Sequence, residues 1–155
     1  MEFSSKQTCD EARAGVSRLR SPAVLAWLRL VRVFQKIDRD STEHLRRWGL
    51  SVAQFDVLAQ VGAAEGLTQQ ALADRLLVTK GNVTQLLNRM EADGLLLRQP
   101  LGRANGLYLT PKGRALRAEV VPAHEAFIER ELAALRGEEQ VKLLATLRRV
   151  DRTLD

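Results

Sequence analysis

Hydrophobic residues recur at intervals of three and four along most of the chain, which is the spacing of one helix face. The first such run begins at Ser21-Pro22, where a capping hydroxyl and a proline favour a helix start, and it ends at Gly49. Its apolar positions are Val24, Trp27, Val31, Phe34, Leu45 and Trp48. The pattern predicts a long helical region over 21–49.

Three further helix starts follow closely. Ser51 and Gln54 form a capping box inside a hydrophobic staple, which predicts a helix to about Gly62. Thr68 and Thr79 each lie between apolar residues in the same arrangement. They predict short helices over about 69–76 and 80–93, and such a closely spaced pair is typical of a helix-turn-helix.

The periodicity changes after Gly94. Leu95–Gln99 and Leu107–Thr110 are short and apolar, which predicts two strands. The residues between them favour a turn and include Pro100, Gly102, Asn105 and Gly106. A β-hairpin placed directly behind a helix-turn-helix is called a wing.

The C-terminal third returns to helical spacing. Thr110-Pro111 predicts the start of a helix that runs to about Arg136 and bends at Pro122, and Gly137 separates it from a last helix. The last helix has an apolar stripe suited to a partner helix, made of Val141, Leu144, Leu147, Val150 and Leu154.

The predicted fold is mainly α with a small β-hairpin, a winged helix-turn-helix with long N- and C-terminal dimerisation helices. We expect residues 1–20 to be a flexible N-terminal segment and 50–114 to form the DNA-binding region. The helices of 21–49 and 115–155 would form the dimerisation region, because a small monomer cannot easily bury their stripes. A monomeric helical bundle with a surface hairpin is the alternative.

Composition excludes several classes of protein. The chain has 155 residues, a net charge of +5 and a single cysteine, and no apolar run is long enough to span a membrane or act as a signal peptide. We therefore expect a cytoplasmic protein with no membrane partner and no intramolecular disulfide. The sequence has no metal-ligand spacing, phosphate-binding loop or nucleophile motif, so we expect no catalysis, cofactor or metal. The two histidines, His44 and His124, are far apart in the sequence, and we expect both to lie at the surface or an interface.

The positive charge is concentrated around the predicted second helix and wing. Residues 79–114 contain six basic side chains and two acidic ones, whereas 51–78 contain one basic and three acidic. The helix after Thr79 has a polar face suited to reading base edges in a DNA major groove. Its candidate DNA-binding residues are Thr79, Lys80, Asn82, Thr84, Gln85 and Asn88. Gly81 would let the helix start approach a phosphate.

The wing supplies two more candidate DNA-binding residues, Arg98 and Arg103. Arg103 is the one charged residue between Pro100 and Leu107. At a glycine-rich tip it could enter a narrow minor groove or contact phosphate, and the sequence leaves both open.

These motifs resemble the MarR family of bacterial transcription regulators. The similar segments are Gln70–Leu76, Lys80–Thr84, Arg89–Leu96 and the wing exit from Arg103 through Leu107, Leu109 and Thr110 to Gly113. The resemblance implies a symmetric dimer that binds double-stranded DNA at a pseudo-palindrome, commonly as a repressor. One departure is Leu101-Gly102-Arg103, where the family usually has Asp-x-Arg, so Arg103 lacks an orienting carboxylate.

The resemblance also implies a switch. Related regulators release DNA when a small aromatic or phenolic acid binds, and Trp27, Asp56 and Arg89 resemble the effector-binding residues of the urate-responsive branch. Cys9 offers a less favoured alternative, a peroxide-sensing thiol, although Asp10 and Glu11 beside it would raise its pKa. A winged-helix protein-interaction module without specific DNA binding is the other alternative.

Overall fold

The computed structural model describes residues 21–76 and 80–154, and its contacts divide the chain into two units, residues 1–39 and 40–155. Helices dominate the described part. They are α1 (Pro22–Leu45), α2 (Val52–Ala63), α3 (Gln69–Leu76), α4 (Lys80–Ala92), α5 (Pro111–Glu131) and α6 (Gly137–Asp151). The predicted flexible segment 1–20, and Cys9 within it, lie outside the described residues.

Three predicted helix starts, at Ser51, Thr68 and Thr110, are confirmed by local hydrogen bonds. The Ser51 hydroxyl accepts from the Gln54 amide at 3.2 Å, and the Gln54 side chain accepts from the Ser51 amide at 2.9 Å. Thr68 Oγ1 accepts from the Ala71 amide at 3.2 Å, and Thr110 Oγ1 accepts from the Gly113 amide at 3.0 Å. Each cap satisfies an amide that has no partner within its own helix.

Three antiparallel strands form one small sheet in the order β1, β3, β2. They are β1 (Leu67–Thr68), β2 (Leu96–Leu101) and β3 (Ala104–Leu109). Leu67 pairs with Leu107 and Thr68 with Gly106, while β2 and β3 pair along their whole length from Leu96 with Leu109. The predicted wing is therefore present, and β1 is an element that the sequence pattern did not predict.

The predicted ends of the hairpin strands were wrong. Pro100 lies in β2 and pairs with Asn105, which a proline can do because β2 is an edge strand of the sheet. Gly106 is buried in β3, where a Cβ would lie 3.2 Å from the backbone of Gly66. The turn is shorter than predicted and is centred on Gly102-Arg103, with Gly102 at φ 62° as tight hairpin turns require.

One helix end agrees with the prediction and another differs from it. α2 ends at Ala63, one residue past the predicted Gly62. α5 continues through Pro122 but ends at Glu131 rather than near Arg136. Beyond Glu131 the amides of Ala133 and Leu135 donate to carbonyls three residues back, so the backbone tightens into turns before Gly137.

The core of the second unit lies among α2 to α5 and the sheet. Its fully buried side chains come from every one of these elements and include Leu58, Leu72, Leu87, Met90, Leu107, Leu109 and Val120. Because the core joins the helices directly to the wing, it fixes the position of the surface residues described below.

The terminal helices differ from this core. None of the described residues 21–39 is buried, and Trp27 and Phe34 are 63% and 65% exposed. In α6, likewise, no residue of the described range Gly137–Asp151 is buried, and the predicted apolar stripe is exposed along its length. Among residues 21–76 and 80–154, no helix is long and apolar enough to cross a membrane.

Candidate nucleic-acid interface

Helix α4 separates its apolar and polar residues onto two sides. Val83, Leu87 and Met90 are fully buried against the core. Asn82, Gln85 and Asn88 are exposed, as are Gly81 and Arg89. The core therefore holds the helix by one side and leaves a row of hydrogen-bonding side chains on the other. This arrangement is the one that insertion into a major groove requires.

Thr84 has a different environment from the other predicted DNA-binding residues. It is half-buried, and its hydroxyl oxygen accepts a 2.5 Å hydrogen bond from Gln69 Nε2 on α3. This bond links the two helices of the helix-turn-helix. Thr79 lies outside the described residues, as does the side chain of Lys80, the first residue of α4.

The start of α4 is open above Gly81. No atom of the described residues lies within 4 Å of the place where a Cβ on Gly81 would stand. Apart from the backbone of α4 itself and the residues next to Gly81, the described part of the chain leaves this side of the helix open. Amides at a helix start attract anions such as phosphate, so the space suits the contact that the sequence predicted.

The wing places its two arginines differently. Arg103 lies at the turn and is exposed. Arg98, in β2, turns back onto α4: its Nη2 donates to Asn88 Oδ1 at 2.8 Å, and its Nη1 forms an ion pair with Glu91. No role was predicted for Glu91, because the contact between α4 and β2 cannot be inferred from local spacing in the sequence.

The base of the wing is fixed to the end of α4 and the start of α5. Thr110 Oγ1 donates to the Gly94 carbonyl at 2.6 Å, and Lys112 Nζ donates to the Asp93 carbonyl at 2.8 Å. Gly113 lies so close to Leu95 that a Cβ would stand 1.9 Å from the Leu95 carbonyl oxygen. These contacts fix the orientation of the hairpin relative to α4.

The three predicted effector-binding residues lie in separate surroundings. Asp56 lines a cavity of about 280 Å³ with Asn82, Val83 and Leu86. Arg89 lines a cavity of about 490 Å³ whose wall also includes Leu86. Trp27 belongs to the first unit and is exposed on α1.

Both histidines are buried, which corrects their expected place at a surface or interface. His44 and His124 are 7% and 8% exposed, and their ring centroids are 5.7 Å apart within a cluster of aromatic rings that includes Phe127. Burial lowers the pKa of each ring; the positive charges of Arg47 and Arg130 lower that of His44 further, and His44 lowers that of His124. In the described part of the chain, no group of three or more metal-ligating side chains could hold a metal ion.

A helix-turn-helix with an exposed polar second helix, followed by a β-hairpin wing, defines a winged-helix DNA-binding protein. A sequence model of the MarR family matches residues 48–104. An uncharacterized HTH-type transcriptional regulator of Bacillus cereus is 35% identical over 123 residues, covering 79% of this chain and 84% of the relative. The chain belongs to the MarR family, whose members regulate transcription and are not enzymes, as the sequence predicts.

Solved structures agree with this assignment. A cysteine-to-serine mutant of MarR from E. coli, complexed with operator DNA, is 27% identical with a TM-score of 0.74, covering 83% of this chain and 95% of that one. The organohalide-sensing regulator RdhR-CbdbA1625, in its 2,4-dichlorophenol-bound form, is 23% identical with a TM-score of 0.75 and covers 86% and 81%. The second likeness shows the fold alone.

Proposed function

We propose that the protein is a homodimeric transcription repressor that binds a pseudo-palindromic operator and releases it when a small aromatic or phenolic acid binds. The observation that carries the proposal is the exposed row Asn82, Gln85 and Asn88 beside a wing with Arg103 at its tip. Because operator DNA lies in the cytoplasm of a bacterium, we place its action there.

The DNA-binding region is 50–114. Asn82 and Gln85 lie nearest the start of α4, the part of a recognition helix that usually reaches base edges. Thr79, Lys80 and Gly81 would contact phosphate at that start. Arg103, on a two-residue turn, would reach the backbone or the floor of the adjacent minor groove.

The dimer would form through 21–49 and 115–155. Within α6, Val141, Leu144, Leu147 and Val150 recur every three residues and are exposed, and Leu154, just beyond the helix, is 79% exposed. Water-exposed apolar stripes on long terminal helices are costly, and a second copy that covers them removes the cost. Two-fold symmetry would then place two recognition helices on two half-sites.

The effector would bind near the recognition helix. Asp56 and Arg89 line cavities that share Leu86, a residue of that helix, so a ligand in either cavity would press on α4. Arg89 suits an anion and Asp56 a hydrogen-bond donor, and an aromatic acid such as urate offers both. A phenol bound to a regulator of the same fold supports this ligand class.

The test is a gel-shift titration of the full chain against its own upstream DNA, with urate, salicylate and related aromatic acids added in turn. We expect tight binding that weakens steeply with salt and is reversed by one of these compounds. Binding that none of them reverses would redirect attention to Cys9 and oxidants. Weak binding indifferent to sequence would favour a protein-interaction module.

Variants of the candidate DNA-binding residues test which side chains contact DNA. Asn82→Ala and Gln85→Ala should change which base pairs are preferred, whereas Arg103→Ala should weaken all sequences alike if it contacts phosphate. The matched control is Arg149→Ala, an exposed arginine outside 50–114 that lies about 160° around α6 from Leu147 and so away from the apolar stripe. Equal binding by all four variants and the wild type would refute the assignment.

A further inference from the structure

Arg98 makes three contacts that all lead to helix α4. Its Nη2 donates to Asn88 Oδ1 at 2.8 Å, its Nη1 pairs with a Glu91 carboxylate oxygen, and its backbone amide donates to Glu91 Oε1 at 3.2 Å. The arginine side chain is only 18% exposed, although it starts from an edge strand. This packing differs from that of an arginine that extends into solvent to meet DNA.

The chemistry of the guanidinium decides how Asn88 is oriented. Arginine has five N–H donors and no acceptor, so the Asn88 amide can meet it only through Oδ1. The Asn88 amide nitrogen, on the other branch of the same planar group, is then left for a partner outside the protein, because Asn88 is exposed. Asn88 is thus held with its hydrogen-bond donors outward.

We propose that Arg98 is a positioning residue for DNA recognition, which holds Asn88 as a hydrogen-bond donor so that this point of α4 selects an acceptor on the DNA. The inference rests on the proposed function. It also gives Arg98 a role different from the direct DNA contact that the sequence predicted. Glu91 keeps the guanidinium in place and balances its charge.

The orientation has a consequence for base preference. Asparagine usually reads adenine with one donor and one acceptor together, through N6 and N7. That paired contact requires Oδ1 and Nδ2 to face the base together, and the bond from Arg98 instead holds Oδ1 toward the wing. The outward donor instead fits the two acceptors of guanine, N7 and O6, or a phosphate oxygen.

The experiment selects binding sites from a randomised pool of double-stranded DNA with the wild-type protein and four variants. Asn88→Ala removes the donor, and Asn88→Asp keeps an acceptor for Arg98 but presents no donor to the DNA. Arg98→Lys removes the planar fork, and the fourth variant combines Arg98→Lys with Asn88→Ala. Arg114→Lys, at an arginine paired with Glu65 away from α4, is the matched control.

If the acceptor is guanine, each Asn88 variant and Arg98→Lys should lose about tenfold or more of the preference at one base pair of each half-site. The combined variant should lose no more than Asn88→Ala alone, because Arg98 acts through Asn88. If the acceptor is a phosphate, the losses should be equal for all sequences and a methylphosphonate at that phosphate should reproduce them, again without additivity.

Three results would overturn the inference. Losses from Arg98→Lys and Asn88→Ala that multiply would mean that Arg98 contacts DNA itself. Asn88→Asp binding like the wild type would mean that no donor is needed, and circular dichroism of this variant checks that it is folded. A wild-type protein that selects no sequence would refute the proposed function and this inference with it.

Discussion

Gly113→Ala is expected to disrupt the joint between the wing and α5. Its Cβ would lie 1.9 Å from the Leu95 carbonyl oxygen and 2.9 Å from the carbonyl carbon, so that carbonyl must retreat by more than an ångström. The same oxygen accepts the Thr110 amide at 3.1 Å. Overpacking costs about 1–3 kcal/mol, and a weakened hydrogen bond costs about 0.5–1.5 kcal/mol. We expect the free energy of unfolding to fall by about 2–4 kcal/mol.

Urea denaturation followed by circular dichroism measures this loss, with all proteins at one concentration because dimer stability depends on it. Gly137→Ala is the matched control, since no atom of the described residues lies within 4 Å of its Cβ position at the start of α6. That control should be unchanged or more stable by about 0.5 kcal/mol. If the two variants denature at the same urea concentration, the close packing of Gly113 is not a constraint.

Two further predictions concern the histidine cluster and the dimer. Burial lowers the pKa of His44 and His124 below the value of 6.5 that histidine has in the unfolded chain. As the pH falls, the unfolded state therefore binds protons before the folded state does, so the free energy of unfolding should be constant above pH 6.5 and decline below it. Urea midpoints at a series of pH values test this, and replacing both histidines by glutamine should reduce the decline. Light scattering should show Leu147→Asp as a monomer, whereas Arg149→Asp, about 160° around α6 from Leu147, should remain a dimer. An unchanged mass for Leu147→Asp would place the interface elsewhere.

The features that the sequence predicted correctly are those fixed by neighbours in the chain. Ser51, Thr68 and Thr110 cap helices through bonds to residues three positions on, so their spacing alone identifies them. Strand β1 was not predicted, because Leu67 and Thr68 form a strand only by pairing with Leu107 and Gly106, which are distant in the sequence.

The predictions for the wing and the candidate site that were wrong all concern residues whose position depends on contacts with other elements. Pro100 and Gly106 suggest a turn by composition, but an edge position and a close backbone neighbour give each a place in a strand. The direction of the Arg98 side chain depends on Asn88 and Glu91, which lie in another element. His44 and His124 come together only when α1 and α5 are folded.

The order of the sheet has an evolutionary consequence. Helices α3 and α4 form an insert between β1 and β2, and both of those strands are hydrogen-bonded to the same strand, β3. The insert is thus tied down at its two ends, independently of the side chains it exposes. Mutations on the outer face of α4 can therefore change the preferred operator while the helix stays in place, so new regulatory targets can be acquired by few substitutions and without a new scaffold.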